Sequence, residues 1–509
     1  MDAYDYIVVG AGAAGSVLAE RLGEIPGATV LVLEAGPAST PEHIDVPYRW
    51  AEHHFTDADW AYSTTEQAAL GGRSVYLAAG RGVGGSTNLY HMIHVRGCPL
   101  DFDDWAYHGA SGWSWQEVLP YFRKIEDQED DTNPTAGKGG PMRVVNARDH
   151  GPNPLSQAFI DAAVECGHPF TEDFNATPEG AGWHHLDIKQ GSRHGARRGY
   201  LEPALRRPGV TLSADSTALR VLFDGNARAN GVEYLRYGKV RRVGARSEVI
   251  LCAGGIQSPK LLMLSGLGPP EQLAQHGVET RVALPGVGRN FHDHVLVVAP
   301  VARTDRAAPG PRLNLSEVCL FAASEGWPVA DLQIGFVHRA QFQPEPDPLL
   351  ITMLPGLVRP LSRGTLRLAS ADPLAAPLLD PAYLSQQSDV RRLTAAFELA
   401  RDLLRAPAFA DWGVKEVVPG PAAVSTPAEA ERFVRQNLGS YYHYAGAAKM
   451  GTDELSAVDP RLRVHGVDGL RVADASVIPA LPSGNCQTSV LMIAERAADF
   501  VKQDLAAKS

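Results

Sequence analysis

Cysteine is scarce in this 509-residue chain, with five residues at 98, 166, 252, 319 and 486. An odd number with no C-x-x-C pair argues against a disulfide framework and a structural zinc site, and it suits a reducing compartment. No run of 18 apolar residues is available to cross a bilayer, and no basic segment opens the chain, so a cytoplasmic location is expected. Positive charge is in deficit: 47 Lys and Arg against 58 Asp and Glu give a net −11. Such a surface repels phosphate backbones and anionic lipid, which argues against nucleic acid and membrane as partners. No fixed-period repeat is present, so solenoids and propellers are excluded. Apolar residues make up 44% and charged residues 21%. That is ample for a buried core, and the length allows about three folded units of roughly 150 residues, or two larger ones.

The N-terminal 35 residues are the most legible. Tyr6-Ile7-Val8-Val9 is a short apolar run of the kind buried in a parallel sheet, and it leads directly into Gly10-Ala11-Gly12-Ala13-Ala14-Gly15. Ser16 to Leu22 then carries apolar residues at helical spacing, and Val30 to Leu33 is a second buried strand ending in Glu34. This is a βαβ unit with a dinucleotide fingerprint. Gly10 permits the tight turn, Gly12 lets the backbone approach a pyrophosphate, and Gly15 allows close packing of helix on sheet. The helix N-terminus offers free N–H groups to the phosphates, and Glu34 is placed to accept from both ribose hydroxyls. The motif alone leaves NAD and FAD open, because both carry the same ADP half.

A second block, Gly80 to Met92, exposes backbone amides around Gly82, Gly84 and Gly85, a nest suited to a further set of anionic or carbonyl oxygens. Near the C-terminus, Leu470 to Asp474 reads as a strand ending in a carboxylate. Pro479 to Gln487 reads as a punctuated loop, and Thr488 to Phe500 as a helix.

Together these blocks resemble the glucose-methanol-choline (GMC) family of FAD-dependent oxidoreductases. Further matches are Arg198-Gly199-Tyr200-Leu201, Ala253 to Pro259, Gly286 to Asn290 with Asp293-His294, His443 with Gly446 and Lys449-Met450-Gly451, and Val472 to Ser476 through Ser483-Gly484-Asn485. The resemblance implies an α/β (α+β overall) fold. A Rossmann-like FAD-binding domain would be assembled from about 1–150, 200–295 and 452–509. A substrate domain on an antiparallel sheet would take 151–199 and 296–451. It implies cofactor contacts at Gly10, Gly12, Ala13, Ala14, Gly15, Glu34 and Ala35, then at Arg81, Gly84, Gly85, Ser86, Asn88, Tyr90, His91 and Met92. The remaining contacts would fall at Ala218, Ala253, Gly254, Asp474, Ala475 and Asn485.

The resemblance also implies oxidation of an alcohol, expected to be primary, to the carbonyl. His443 would take the hydroxyl proton and hydride would pass to flavin N5, with oxygen or a quinone-like carrier reoxidising the flavin. A neutral imidazole is available as a base near pH 7. The family's second His or Asn, counted back from Val490-Leu491-Met492, falls on Gln487, which can donate and accept but has no useful basicity, so it is expected to orient the hydroxyl. Tyr90 stands where Asn is common and Ala447 where Thr is usual. The histidine that carries a covalent flavin would fall at Leu89, so FAD is expected to be noncovalent with His91 packed nearby. His292-Asp293-His294 and His184-His185 look like metal ligands, but nothing supplies the third and fourth donors, and no metal is expected. Tyr441, Tyr442 and Tyr444 suit either an aryl pocket or ordinary core. The alternative function is a lyase of the hydroxynitrile-lyase type, with FAD in a structural role.

Overall fold

The computed structural model describes residues 2–225, 228–339 and 347–507. Two sheets organise it. In the first, the fully buried Val30–Leu33 pairs in parallel with Ala3–Val9 on one side and with Val210–Ser213 on the other. The other edge of Ala3–Val9 pairs in parallel with Lys239–Leu251. That 13-residue strand serves two purposes: its second half also takes Leu470–Val472 in parallel, and its first half takes the antiparallel pair Ser216–Phe223 and Ala229–Arg236. Tyr6 to Val9 are buried between parallel neighbours on both edges, with the helix Ala13–Gly23 packed on them, and the strand accordingly reads as a continuous apolar run rather than an alternating one.

The second sheet has nine strands and is largely antiparallel. The central strands Leu332–Val337 and Leu350–Leu357 alternate, and that alternation positions the site. Leu332, Ile334 and Phe336 point into one core, with Ile351, Met353 and Leu357 beside them and the helix Gln387–Arg405 against the same layer. The intervening Gln333, Gly335 and Leu354 face a cavity instead. A period of two assigns each side chain to core or cavity once the strand is in register.

No helix among the described residues is long and apolar enough to cross a membrane.

Candidate active site

Gly10 has φ +104°, and a Cβ there would lie 2.5 Å from the Cys252 carbonyl oxygen. Gly15 packs still closer, since a Cβ would fall 1.8 Å from the carbonyl oxygen of Gly10. The strand-to-helix turn is therefore as tight as backbone permits. It opens a cavity of about 1130 Å³ that runs from the parallel sheet to the antiparallel one. Gly10, Gly12, Ala13, Ala14, Glu34, Ala35, Arg81 and Ala218 line it, with Gly85, Ser86, Tyr90, His91, Ala253, Gly254, Asp474 and Ala475 continuing the wall. His443, Asn485 and Gln487 complete the lining.

Four residues expected at the cofactor stand behind this wall. Gly15 is turned into Gly10, Asn88 donates its Nδ2 to the Val83 carbonyl at 2.8 Å, Gly84 lies against the Asn88 carboxamide, and Met92 is fully buried. Their part is to shape the loops that carry the lining residues.

The lining chemistry fits a dinucleotide. Two helices, Ala13–Gly23 and Gln487–Ala506, begin at the cavity with no side-chain cap and no acid in the first turn, which leaves N-terminal amides available to an anion, whereas the first amide of Gly254–Leu264 donates to Asp474. A Cβ on Gly254 would meet nothing within 4 Å, so the wall there opens onto free space. The Nε2 of Gln487 is buried without a hydrogen-bond partner, as is the Oε1 of Gln333. Buried orphan groups are costly and call for a ligand or water.

Glu34 uses both carboxylate oxygens on backbone amides: Oε2 accepts from Ala11 at 2.9 Å, and Oε1 from Gly36 at 2.8 Å and Gly82 at 3.0 Å. It thus ties the two glycine loops together, and with both lone pairs of Oε1 taken, Oε2 keeps one for a hydroxyl. Burial raises its pKa against those three amide bonds. Asp474 is likewise occupied, accepting from Gly254 N, Ser258 Oγ and Ser476 N and Oγ. Tyr90 donates to Asp187 Oδ2 at 2.8 Å, and its carbonyl accepts from Arg193. The His91 ring lies 3.8 Å from that of Trp50, while Leu89 lines the cavity.

His443 is positioned by pairing between distant segments. Val295–Val297 runs antiparallel to Leu438–Ser440, and the pairing continues through Tyr441 N to His294 O and resumes at His292 with Ala445. Between them Tyr442 has φ +63°, a conformation costing a non-glycine residue about 1–3 kcal/mol. Its N–H donates to Ser440 Oγ at 2.6 Å, which pins the turn. Asp293 completes the clamp: Oδ1 accepts from the His443 N–H at 2.8 Å, and Oδ2 from Tyr383 and Ser440 hydroxyls. Burial lifts the pKa of Asp293 to about 6.

The His443 ring stacks parallel to Tyr441 at 5.5 Å, its Nδ1 lies 3.0 Å from Nδ1 of His294, and its Nε2 lies 3.4 Å from Nδ2 of Asn485. Burial lowers its pKa from 6.5 to about 3, so the ring is neutral. The residue beside His443 is therefore Asn485, assigned above to the cofactor, whereas Gln487 lines the same cavity two residues on with no protein partner for its amide. Counting back from the helix fixes position in the chain but not which way each side chain leaves the helix start.

The histidine pairs divide. His292 is satisfied within the fold, with Nδ1 on the Asn290 carbonyl and Nε2 accepting from Leu481 N, and His185 contacts Asp130. His294, by contrast, touches His443. Among the described residues, one group of possible metal ligands has its donor atoms within 4.8 Å, namely His294, His443 and Cys486. His292 is not part of this group, so the i, i+2 spacing of His292 and His294 does not point to it.

A dinucleotide-binding sheet and an antiparallel sheet sharing one cavity, with a neutral histidine on its wall, define a nucleotide-dependent oxidoreductase. Two family models, both described as GMC oxidoreductase, match residues 4–296 and 360–494, and the chain belongs to that family. Its relatives include human mitochondrial choline dehydrogenase, 37% identical over 98% of this chain and 90% of the human one. Among solved structures, pyridoxine 4-oxidase from Mesorbium loti superposes with a TM-score of 0.92 at 33% identity, covering 97% of this chain and 98% of its own. Formate oxidase from Aspergillus oryzae RIB40, in a structure concerned with FAD modification, gives 0.91 at 27% identity, covering 99% and 98%.

Proposed function

We propose that this protein oxidises an uncharged, apolar or aryl primary alcohol to the aldehyde, with noncovalent FAD as cofactor and His443 as the base. The observation that carries this reading is the His443 ring, held at both nitrogens, on the wall of a cavity that also receives the glycine turn. Gly12, Ala13, Ala14, Glu34, Gly85, Ser86 and Asp474 would hold FAD, which when bound supplies an acceptor for the hydrogen and electron pair leaving the carbinol carbon. Leu89 offers no nucleophile and His91 is packed on Trp50, which supports noncovalent binding.

Nε2 of His443 takes the hydroxyl proton as the carbon–hydrogen bond weakens. Positioned proton transfer of this kind contributes roughly 10²–10⁴ in rate. Asn485 and Gln487 carry amide N–H groups on the same wall, suited to orient the oxygen as it gains charge. Leu296, Val298, Leu354 and Tyr441 form the apolar side of the chamber. Among the described lining residues the carboxylates are Glu34 and Asp474, both engaged at the nucleotide-binding loops, so the chamber offers no counter-charge to an ammonium group. Choline and pyridoxine, named for two relatives, share a primary hydroxyl, and the apolar wall is what selects among such alcohols here.

The test is anaerobic mixing of the yellow holoprotein with benzyl alcohol, 1-butanol, choline and glucose while following the flavin band. Bleaching by the first two ahead of choline is expected, with His443→Ala slowing it about a hundredfold. A flavin that no alcohol bleaches would instead favour a structural cofactor and lyase chemistry.

A further inference from the structure

His294 does not itself line the cavity, yet it makes the closest side-chain contact to the base. The two rings meet edge to face, 86° apart, with like atoms opposed: Nδ1 to Nδ1 at 3.0 Å. Two neutral imidazoles can hydrogen-bond in this way only if one of those nitrogens carries a proton and the other does not. Their neighbours decide which. Asn485 Oδ1 faces the Gln333 amide at 3.3 Å, so its Nδ2 is turned as a donor to His443 Nε2. A nitrogen that accepts there carries no proton, which leaves the proton of His443 on Nδ1. On the other ring Nδ1 must then accept, so in the neutral imidazole of His294 the proton sits on Nε2, which is buried without a hydrogen-bond partner.

We propose that His294 is a positioning residue that holds His443 as its Nδ1–H tautomer and thereby keeps Nε2 unprotonated, so that the alcohol hydroxyl can take the place of the Asn485 amide as donor to its lone pair. This rests on His443 being the base. The proton step then balances simply: the O–H bond of the alcohol breaks, its electron pair stays on oxygen, and an N–H bond forms at Nε2. The resulting imidazolium still donates through Nδ1 to His294, now as a stronger, charge-assisted bond. A carboxylate could do the same work, but the one at hand, Asp293, is occupied by the His443 backbone, Tyr383 and Ser440. A neutral partner fixes the tautomer without placing an anion beside the ring. The other groups around His443 are Tyr441, stacked on it, and Cys486, whose thiol burial keeps protonated. Neither presents an acceptor charged at neutral pH.

The test compares His294→Leu and His294→Gln in the FAD-loaded protein. The Gln carbonyl can accept from Nδ1–H, whereas Leu cannot. Nitrogen-15 NMR of histidine-labelled protein, with the His443 signals assigned by their loss in His443→Gln, should show the Nδ1–H form in the wild type and a shift toward Nε2–H in the Leu variant. Anaerobic flavin reduction should fall about 10–100-fold in the Leu variant, with a displaced pH profile, and recover most of that in the Gln variant. An Nε2–H tautomer in the wild type would overturn the proposal, and this measurement needs no variant of His294 to fold. Equal rates and pH profiles for Leu and wild type, or equal losses for Leu and Gln, would overturn it as well. If instead His443→Ala reduces as fast as wild type, the assignment of the base fails, whatever the tautomer.

Discussion

Replacing His94 with Asn probes the charge cluster that backs the cavity wall at Tyr90. His94 Nδ1 lies 2.8 Å from Asp187 Oδ1 and its Nε2 lies 3.2 Å from Glu126 Oε1, while Arg96 Nε donates to the same Glu126 oxygen at 2.7 Å. Tyr90 donates to the second oxygen of Asp187. His94, Arg96, Glu126 and Asp187 are all buried, so two carboxylates face one guanidinium and the charge closes only if His94 is an imidazolium. Burial pulls its pKa down, but Asp187 and Glu126 override that and raise it from 6.5 to about 9. A pKa raised by folding adds stability that is complete below pH 6.5 and is lost as pH climbs through about 9. At about 1.4 kcal/mol per pH unit, the rise of about 2.5 sets a ceiling of about 3 kcal/mol. With an unfolding entropy of roughly 2.1 cal/mol/K per residue, that is about 3 °C in Tm for a chain of this length. Melting curves of wild type and His94→Asn from pH 6 to 9.5 at fixed ionic strength should show the widest gap at pH 6, narrowing by about 3 °C at the alkaline end. A gap that is flat or widens with pH would refute the reasoning, because a packing defect carries no such pH dependence.

Two further substitutions test the ends of the cavity. Gly15→Ala should purify without the yellow band, since a Cβ 1.8 Å from the Gly10 carbonyl forces the first turn open, and full flavin content would contradict that. Gln487→Ala removes the unpartnered amide and should lower kcat/KM about 3–10-fold, the equivalent of one neutral hydrogen bond, while leaving the pH profile of the base unchanged. Turnover equal to wild type would remove Gln487 from the substrate's contacts.

What could be read in the chain was local. The strand–turn–helix of residues 6 to 22 announces itself because the turn glycines and the apolar run are neighbours, and Glu34 follows at the end of the next strand. The same holds for the helix beyond Gln487, whose periodicity is intact. The partners of His443 were not legible in this way. Asn485 and Gln487 are both carboxamides at a helix start, and chain position does not tell which of them turns toward a ring 40-odd residues upstream. His292, Asp293 and His294 read as one structural block, yet one histidine is consumed by backbone while the acid and the other histidine hold His443.

The sequence by itself determined that a glycine turn delivers a helix N-terminus to the cavity, because that arrangement is written in consecutive residues whose geometry the backbone dictates. Tertiary structure decided what faces what inside the chamber. Strand register set Leu296, Gln333 and Leu354 on the cavity side, and the antiparallel pairing of 292–297 with 438–445 set two imidazoles nitrogen to nitrogen across 149 positions of chain. An alternating pattern distinguishes two faces of a strand, and only the neighbouring strand fixes which of them is turned to the site.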